Sequence, residues 1–200
     1  MDSIQYIEKP NWVSWNSVLE CIRKSHKVND KRGFHMLNQE MTVDELQKKL
    51  QDGLCFVALE GDKVVGTGST IIKKGNRWWS RGRRVAYNCL DAILPEYQGT
   101  DVYFGLREIR SQYLKKAGVD IIQFNTAEHN KVVQKIALRR GAKYVMYSAT
   151  GKGANYYSVI MANWLDGCPF SDRFCNFMFK LSKFIVRVIW KPGYKLRFWF

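Results

Sequence analysis

One segment, residues 54–72, constrains the fold of this chain more than any other. Residues 54–59 form a short apolar run, and residues 63–72 form a second run rich in Val, Ile and Thr. The residues between them, Glu60-Gly61-Asp62, have the composition of a turn. Two runs of strand length joined by a glycine-containing turn predict a β-hairpin. The sequence therefore requires a β-sheet, and the remaining segments are interpreted around it.

The segments before the hairpin predict one strand and two helices. Residues 3–8 predict a short strand. Ser14 is a suitable N-cap for a helix whose apolar residues recur at helical spacing. Thr42 and Glu45 have the spacing of a capping box, and Gly53 suits the end of this second helix.

The segments after the hairpin alternate between the two kinds of element. Residues 84–94 predict a third long strand, which Pro95 stops. It is followed by a helix ending at Gly118, a strand at 121–125, a helix at 131–140, and strands at 143–148 and 156–162. The order β-α-α-β-β-β-α-β-α-β-β predicts an α/β fold with a mixed sheet, which ends near residue 164.

Composition restricts the class of protein and its partners. The hydrophobic fraction of 46% excludes a chain that is disordered over most of its length. The 32 Lys and Arg against 18 Asp and Glu give a net charge of +14, which attracts polyanions such as nucleic acid, anionic lipid, acidic polysaccharide or nucleotide phosphates. Five cysteines without a CxxC pair, no zinc-ligand spacing, no signal-peptide pattern and no apolar stretch of spanning length predict a cytoplasmic protein.

Three stretches resemble the GNAT superfamily of acetyl-CoA-dependent N-acetyltransferases. The hairpin at residues 55–67 resembles the second and third strands of that family, and residues 94–99 resemble the end of its fourth strand. Asn130 and the helix ending at Arg140-Gly141 resemble its last helix. The resemblance covers residues 3–164 and implies a central mixed sheet flanked by helices, with acetyl-CoA or another acyl-CoA as the cofactor.

The resemblance also implies which residues bind the cofactor. In the family, the loop after the fourth strand holds the pyrophosphate with the motif Gln/Arg-x-x-Gly-x-Gly/Ala. Gln98 matches the motif, whereas Asp101 and Tyr103 stand where the family has small residues, so the loop is divergent. The backbone amides of Ile93 and Leu94 are implied to contact the pantetheine and the thioester carbonyl. The full implied set is Ile93, Leu94, Gln98, Gly99, Thr100, Asp101, Val102, Tyr103 and Asn130.

Acyl transfer to an amine also requires groups that move protons. Asp91 is the one acid on the strand before the loop. If its carboxylate is half-buried, its pKa is raised and it would act as a base. The alternative is that the carboxylate faces solvent or pairs with an Arg. His129 is a second candidate base, although a polar loop with Asn130 as an N-cap explains that stretch equally. The family often has a Tyr where this chain has Ala137, so Tyr144 is the candidate acid that protonates the thiolate.

A basic loop at residues 73–84 contains six Lys or Arg, no acid, and the adjacent Trp78 and Trp79. Aromatic and Arg side chains in this pattern stack on bases, lie at a membrane interface or hold a sugar face. The alternative is a solvated loop whose tryptophans pack on the domain. Nucleic acid is not expected as the partner, because no known nucleic-acid motif accompanies the loop.

The C-terminal extension, residues 165–200, is not explained by the family. It contains 10 of the 28 aromatic residues, and seven Lys or Arg against two Asp. Residues 172–190 have helical periodicity, with one basic and polar stripe and a wide apolar face. Three alternatives exist for burying such a face: packing on its own domain, packing on a second copy of the chain in a homodimer, or lying on an anionic membrane surface.

These observations predict an enzyme that transfers an acyl group, acetyl in the first instance, from acyl-CoA to an amine. The acceptor is expected to be a small molecule or an envelope saccharide, and the basic extension places the protein peripherally on the inner membrane face. The alternative is a catalytically inactive GNAT-fold binding module associated with a membrane surface, because both small-residue positions of the loop and the Tyr position of the last helix are changed.

Overall fold

A computed structural model describes residues 3–30, 36–149 and 157–189. The strands are β1 (Gln5–Glu8), β2 (Gly53–Glu60), β3 (Lys63–Lys74), β4 (Arg84–Ile93), β5 (Ile121–Ala127), β6 (Lys143–Ala149) and β7 (Tyr157–Trp164). The helices are α1 (Trp15–Asp30), α2 (Val43–Lys49), α3 (Val102–Lys116), α4 (Lys131–Arg139) and α5 (Asp172–Ile189). The predicted order of strands and helices is confirmed, and β3 extends two residues further than predicted, into the basic loop.

Side-chain caps fix the start of three helices as the sequence predicts. Ser14 Oγ accepts from the amide of Ser17 at 3.0 Å and begins α1. The Thr42 hydroxyl accepts from the Glu45 amide while the Glu45 carboxylate accepts from the Thr42 amide, which completes the capping box of α2. Asn130 caps α4 through the amide of Val133.

The strands form a seven-stranded mixed sheet in the order β1-β2-β3-β4-β5-β7-β6. The pairs β1/β2, β2/β3, β5/β7 and β6/β7 are antiparallel, and the predicted hairpin is the β2/β3 pair. Because β7 lies between β5 and β6, β6 is an edge strand. The α/β fold with a mixed sheet and flanking helices is therefore confirmed.

The chain divides into two compact units, and the first contains Met1–Ile72 and Asn88–Gly118. Its core joins α1, α2 and the apolar residues of β2 and β3. Helix α3 packs closely on β3 at Gly66, where an added Cβ would lie 2.8 Å from Ile93 and 2.9 Å from Leu106. This close approach holds the N-terminal half of α3 against the sheet.

The second unit contains Lys73–Tyr87 and the described residues from Val119 onward. One face of α5 packs on β6: Phe179 stacks on Tyr144 with ring centroids 4.8 Å apart, and Ser182 Oγ accepts from the Tyr147 amide at 2.9 Å. The packing of the extension on its own domain, one of its three predicted alternatives, is thus observed for this face. Residues 190–200 of the extension lie outside the described residues. Within the described part, no helix combines the length and apolar character needed to span a bilayer.

The tryptophan pair of the basic loop belongs to the core of the second unit. Trp79 is buried, and its indole N–H donates to Gln123 Oε1 at 3.0 Å. Trp78 packs edge-on against Phe170 and Phe174. The packed alternative is therefore the one observed for the tryptophans, with Trp79 buried and Trp78 partly buried.

Candidate active site

The loop between β4 and α3 is anchored to the hairpin of the first unit. A short 3₁₀ turn, Pro95–Tyr97, follows β4. Glu96 accepts from Lys63 Nζ at 3.1 Å, and the Tyr97 hydroxyl donates to Glu60. These contacts tie the start of the loop to both strands of the hairpin beside its turn.

The polar side chains of the loop bond back to the loop itself. Gln98 Nε2 donates to the carbonyl of Ile93 at 3.2 Å. The Thr100 hydroxyl donates to the carbonyl of Tyr97 at 2.7 Å and accepts from the amide of Val102 at 3.4 Å. Gln98 and Thr100 therefore shape the backbone that leads into α3.

Two backbone amides at the start of α3 remain open. Among the residues that the structure describes, the amides of Gly99 and Asp101 have no acceptor. Gly99 has a φ of +88°, which favours glycine, and no atom lies within 4 Å of the position its Cβ would take. Open amides beside the positive end of a 15-residue helix form an arrangement that binds phosphate.

Asp101 and Tyr103, which stand where the family has small residues, have different neighbours. Asp101 is exposed and faces Tyr6, whose pKa is raised by burial and by the charge of Asp101. Tyr103 is half-buried and faces Arg110, two turns further along α3; burial lowers the pKa of Arg110, but Asp91 and, more weakly, Tyr103 raise it above its usual value. Neither residue is small; the charge of Asp101 acts on Tyr6 of β1, and Tyr103 acts on Arg110 of α3.

The amides at the end of β4 both have acceptors within the first unit. The Ile93 amide donates to Ser25 Oγ of α1 at 3.2 Å. The Leu94 amide donates to the carbonyl of Val65 at 3.0 Å. In this state of the protein neither amide is open, so a thioester carbonyl would have to displace one of these acceptors.

Asp91 forms a bidentate ion pair with Arg110. The guanidinium donates from Nη1 at 2.5 Å and from Nη2 at 2.9 Å. The neighbouring Gly68 makes room for the pair, since a Cβ there would lie 2.7 Å from Arg110 Nη1. Of the environments considered from the sequence, the structure shows the carboxylate paired with an Arg, with 36% of its side chain exposed.

Helix α1 contributes a buried histidine beside this pair. His26 faces the backbone of Asp91, and burial lowers the pKa of its imidazole, so the ring is neutral at pH 7. Its Nδ1 has no partner in the described part of the chain. Leu90, which precedes Asp91 in β4, has a φ of +57°, a strained conformation for a bulky residue in a strand.

Tyr144, the candidate acid of the second unit, contacts Gln134 of α4. The Tyr144 hydroxyl donates to Gln134 Oε1 at 3.1 Å, and burial raises the pKa of that phenol. Gln134 Nε2 in turn donates to the carbonyls of Ala127 and Glu128 at the end of β5. Tyr144 also packs against a buried cluster that contains Ala137. The phenol therefore occupies space beside the position where the resemblance led us to look for a Tyr.

His129 is exposed, whereas Glu128 before it is the centre of an ionic network. Glu128 accepts from Lys183 at 2.7 Å, from Arg187 at 3.0 Å and from Tyr147 at 2.5 Å. Burial alone would raise its pKa, but the hydrogen bonds and the two cations lower it to about 2. The network ties the end of β5 to β6 and α5.

Comparison with solved structures identifies the architecture. An N-acetyltransferase, PaiA, from Thermoplasma acidophilum, solved in complex with coenzyme A, aligns with a TM-score of 0.61 at 18% identity, over 81% of this chain and 99% of its own. An acetyltransferase from Streptococcus agalactiae aligns with a TM-score of 0.59 at 18% identity, over 82% and 100%. A GNAT-family acetyltransferase from Staphylococcus aureus aligns with a TM-score of 0.60 at 16% identity, over 82% and 99%.

The chain has the GNAT fold. At these identities the likeness establishes the fold alone. No protein-family model and no curated protein matches the sequence.

Several residues of this GNAT-fold site were missed from the sequence. Arg110 is a charged residue between Leu106 and Leu114, the buried apolar positions one turn away on α3, and that position is the signal of a buried ionic partner. Ser25 and His26 similarly continue the apolar face of α1 after Ile22. Polar residues at core positions of an amphipathic helix require partners, and here those partners lie on β4.

Proposed function

We propose that this protein is an acyl-CoA-dependent N-acyltransferase, with acetyl as the favoured acyl group and an amine as the acceptor. The observation that carries the proposal is the pair of open amides of Gly99 and Asp101 at the start of α3. The proposal is also supported by the fold, which this protein shares with acetyltransferases, one of them solved in complex with coenzyme A. The acceptor amine is proposed to belong to a small molecule or to an envelope saccharide.

The residues present fit a pyrophosphate, with one opposing charge. Gly99 leaves open space, and Gln98 and Thr100 hold the loop in shape. The carboxylate of Asp101 opposes an anion, but its exposure allows water to screen it. Gln98, Gly99, Thr100, Asp101, Val102 and Tyr103 are proposed to form the phosphate-binding segment, and Asn130 stays a cofactor contact proposed from the family resemblance alone.

The end of β4 is proposed to polarise the acyl carbonyl. Bound acyl-CoA supplies an activated thioester. The Ile93 amide would exchange Ser25 Oγ for an incoming carbonyl oxygen, while the Leu94 amide keeps its bond to Val65 or exchanges it in the same way. Such a donor stabilises the negative charge that develops on the oxygen during attack.

Asp91 and Tyr144 are each proposed, on their own evidence, as groups that move a proton. Asp91 accepts the proton of the acceptor ammonium through water, since its side chain is 36% exposed although it is paired with Arg110. The amine nitrogen then forms a bond to the acyl carbon and the carbon–sulfur bond breaks. Tyr144 is proposed to donate its hydroxyl proton to the thiolate, and the proton that the new amide nitrogen loses passes through solvent to the phenolate. His129, which is exposed, is the second candidate base.

A catalytically inactive binding module is the second candidate function. It is favoured by the saturation of both β4 amides and by the ion pair of Asp91. The two candidates agree on ligand binding at the start of α3 and differ in whether an acyl group is transferred.

The first test is the thermal stability of the protein with and without acetyl-CoA. A ligand at 100 times its Kd stabilises the fold by about 2.7 kcal/mol. Gly99→Val should abolish the shift, because a β-branched residue does not tolerate a φ of +88°. Gly61→Val is the matched control, since Gly61 also has a positive φ and open surroundings but lies in the hairpin turn. No shift at millimolar acetyl-CoA, or an equal loss in both variants, would overturn the proposal.

The second test separates the enzyme from the module. Release of free coenzyme A thiol is measured with a panel of amines and amino sugars. Amine-dependent thiol release that Asp91→Asn and Tyr144→Phe reduce supports the enzyme. A saturable thermal shift without thiol release for any amine supports the module.

A further inference from the structure

Helix α5 has an apolar stripe that its own unit leaves uncovered. Five large apolar side chains on this helix are between 40% and 66% exposed. They are Phe174, Phe177, Leu181, Phe184 and Val188. Their alternating spacing of three and four residues places them on one face of the helix. An exposed stripe of this size and regularity marks an interaction surface rather than scattered surface residues.

The opposite face of α5 accounts for the packing of the helix. Cys175 and Val186 are buried, and Phe179 packs between Tyr144 and Tyr147 of β6. Helix α5 is therefore held in place mainly by this face; of the stripe, Phe174 also contributes, through its ring contacts with Trp78 and Phe170.

Charge follows the stripe along one edge only. Arg173, Lys180 and Arg187 lie at seven-residue intervals beside it, although Arg187 is also paired with Glu128, and Met178 and Ile185 lie along the other edge. The one acid of the helix, Asp172, pairs with Lys143 of β6. The surface presented by α5 is thus apolar with a cationic border and contains no acidic side chain of the helix on its exposed face.

This charge pattern disfavours a second copy of the chain as the occupant. If two stripes packed antiparallel, the rows of Arg173, Lys180 and Arg187 would face each other, which is repulsive. If they packed parallel, each cation would face Met178 or Ile185 and gain no ion pair. A surface that carries negative charge beside an apolar interior complements the stripe and its border together.

We propose that the exposed face of α5 docks on an anionic lipid surface. The five apolar side chains would enter the boundary between head groups and acyl chains, and the cationic border would contact the lipid phosphates. The sequence that follows the helix has the same character: residues 190–200 contain three Lys or Arg, five aromatic residues and no acid. This inference is independent of the acyltransferase proposal, because it uses no residue of the loop or of β4.

The test is co-sedimentation of the full chain with vesicles of phosphatidylcholine, alone or with about one third phosphatidylglycerol. We expect binding to the anionic vesicles that weakens as salt is raised. Phe177→Ser with Phe184→Ser should reduce the partition coefficient at least about tenfold, because each exposed Phe loses the transfer of its ring into the lipid. Trp12→Ser is the matched control, since Trp12 is equally exposed but belongs to the first unit; it should leave binding unchanged.

A set of charge-removing variants tests whether the cationic border of α5 contacts the lipid. Arg173→Gln with Lys180→Gln should lower binding to anionic vesicles about fivefold per charge removed. The control pair Lys115→Gln and Lys116→Gln removes two exposed cations at the end of α3 and should have a smaller effect. Thermal unfolding confirms that each variant is folded. The proposal is overturned if the full chain does not bind anionic vesicles, if the Phe variant binds as well as the parent, or if the Phe variant instead dissociates a dimer.

Discussion

Arg110 donates to both carboxylate oxygens of Asp91, yet the two partners differ in their access to solvent. The guanidinium side chain is 5% exposed and the carboxylate side chain 36%. Water can therefore replace Arg110 beside Asp91, whereas nothing replaces Asp91 beside Arg110. The stability contributed by the pair is expected to depend on which partner is removed.

We expect Asp91→Ala to destabilise the protein by about 3 kcal/mol, because it leaves a buried cation without its partner. Arg110→Met should cost less, since it keeps the buried volume and leaves a carboxylate that water can reach. Urea unfolding of the two variants measures the difference. Equal losses would show that exposure does not control the cost.

The carboxylate of Asp101 is expected to weaken the binding of coenzyme A. Asp101→Asn should lower the Kd about two- to fivefold, because it removes a negative charge beside the helix terminus proposed to bind the pyrophosphate. Isothermal titration calorimetry measures the change. Asp62→Asn removes an equally exposed acid from the hairpin turn and should not alter the Kd. An unchanged Kd for Asp101→Asn would place the phosphates elsewhere.

Glu128 is expected to make stability depend on pH in the acid range. Its pKa is about 2 in the folded protein against an ordinary value of 4.5. Its contribution is therefore complete above about pH 4.5 and is lost as the pH falls towards 2. The difference in Tm between the parent and Glu128→Gln should be constant from pH 7 to 5 and shrink below that.

Gly105 is expected to tolerate a methyl group only when Tyr6 is shortened. A Cβ on Gly105 would lie 2.3 to 2.6 Å from ring atoms of Tyr6. Gly105→Ala should therefore destabilise the parent by about 1 to 3 kcal/mol. In a Tyr6→Ala background the same change should stabilise by up to about 1 kcal/mol, through helix propensity. A double-mutant cycle measured by urea unfolding gives the coupling, and additive effects would contradict the contact.

The order of the elements could be predicted because local signals agree along the chain. The capping box of Thr42 and Glu45, the cap at Asn130 and the turn at Gly61 act within a few residues, and each is observed where the sequence indicates it. The resemblance to the GNAT superfamily then supplied the arrangement of the strands, which periodicity alone does not give.

The partners of the site residues could not be predicted, because they are distant in sequence. Asp91 meets Arg110 across 19 residues, and Ile93 meets Ser25 across 68. A lone sequence shows that a polar residue occupies an apolar helical face, but not which strand satisfies it. The same limit applies to Trp78, whose packing depends on Phe170 and Phe174 of the extension.

The hydrogen bond from the Tyr147 amide to Ser182 has a consequence for the whole sheet. Strand β6 ends the sheet order, so its outward amides are able to pair with a strand of another molecule. Helix α5 covers this edge and satisfies one of those amides at 2.9 Å. The extension therefore acts as protection against intermolecular strand pairing, and a chain shortened after residue 164 would be expected to aggregate however well its remaining core is packed.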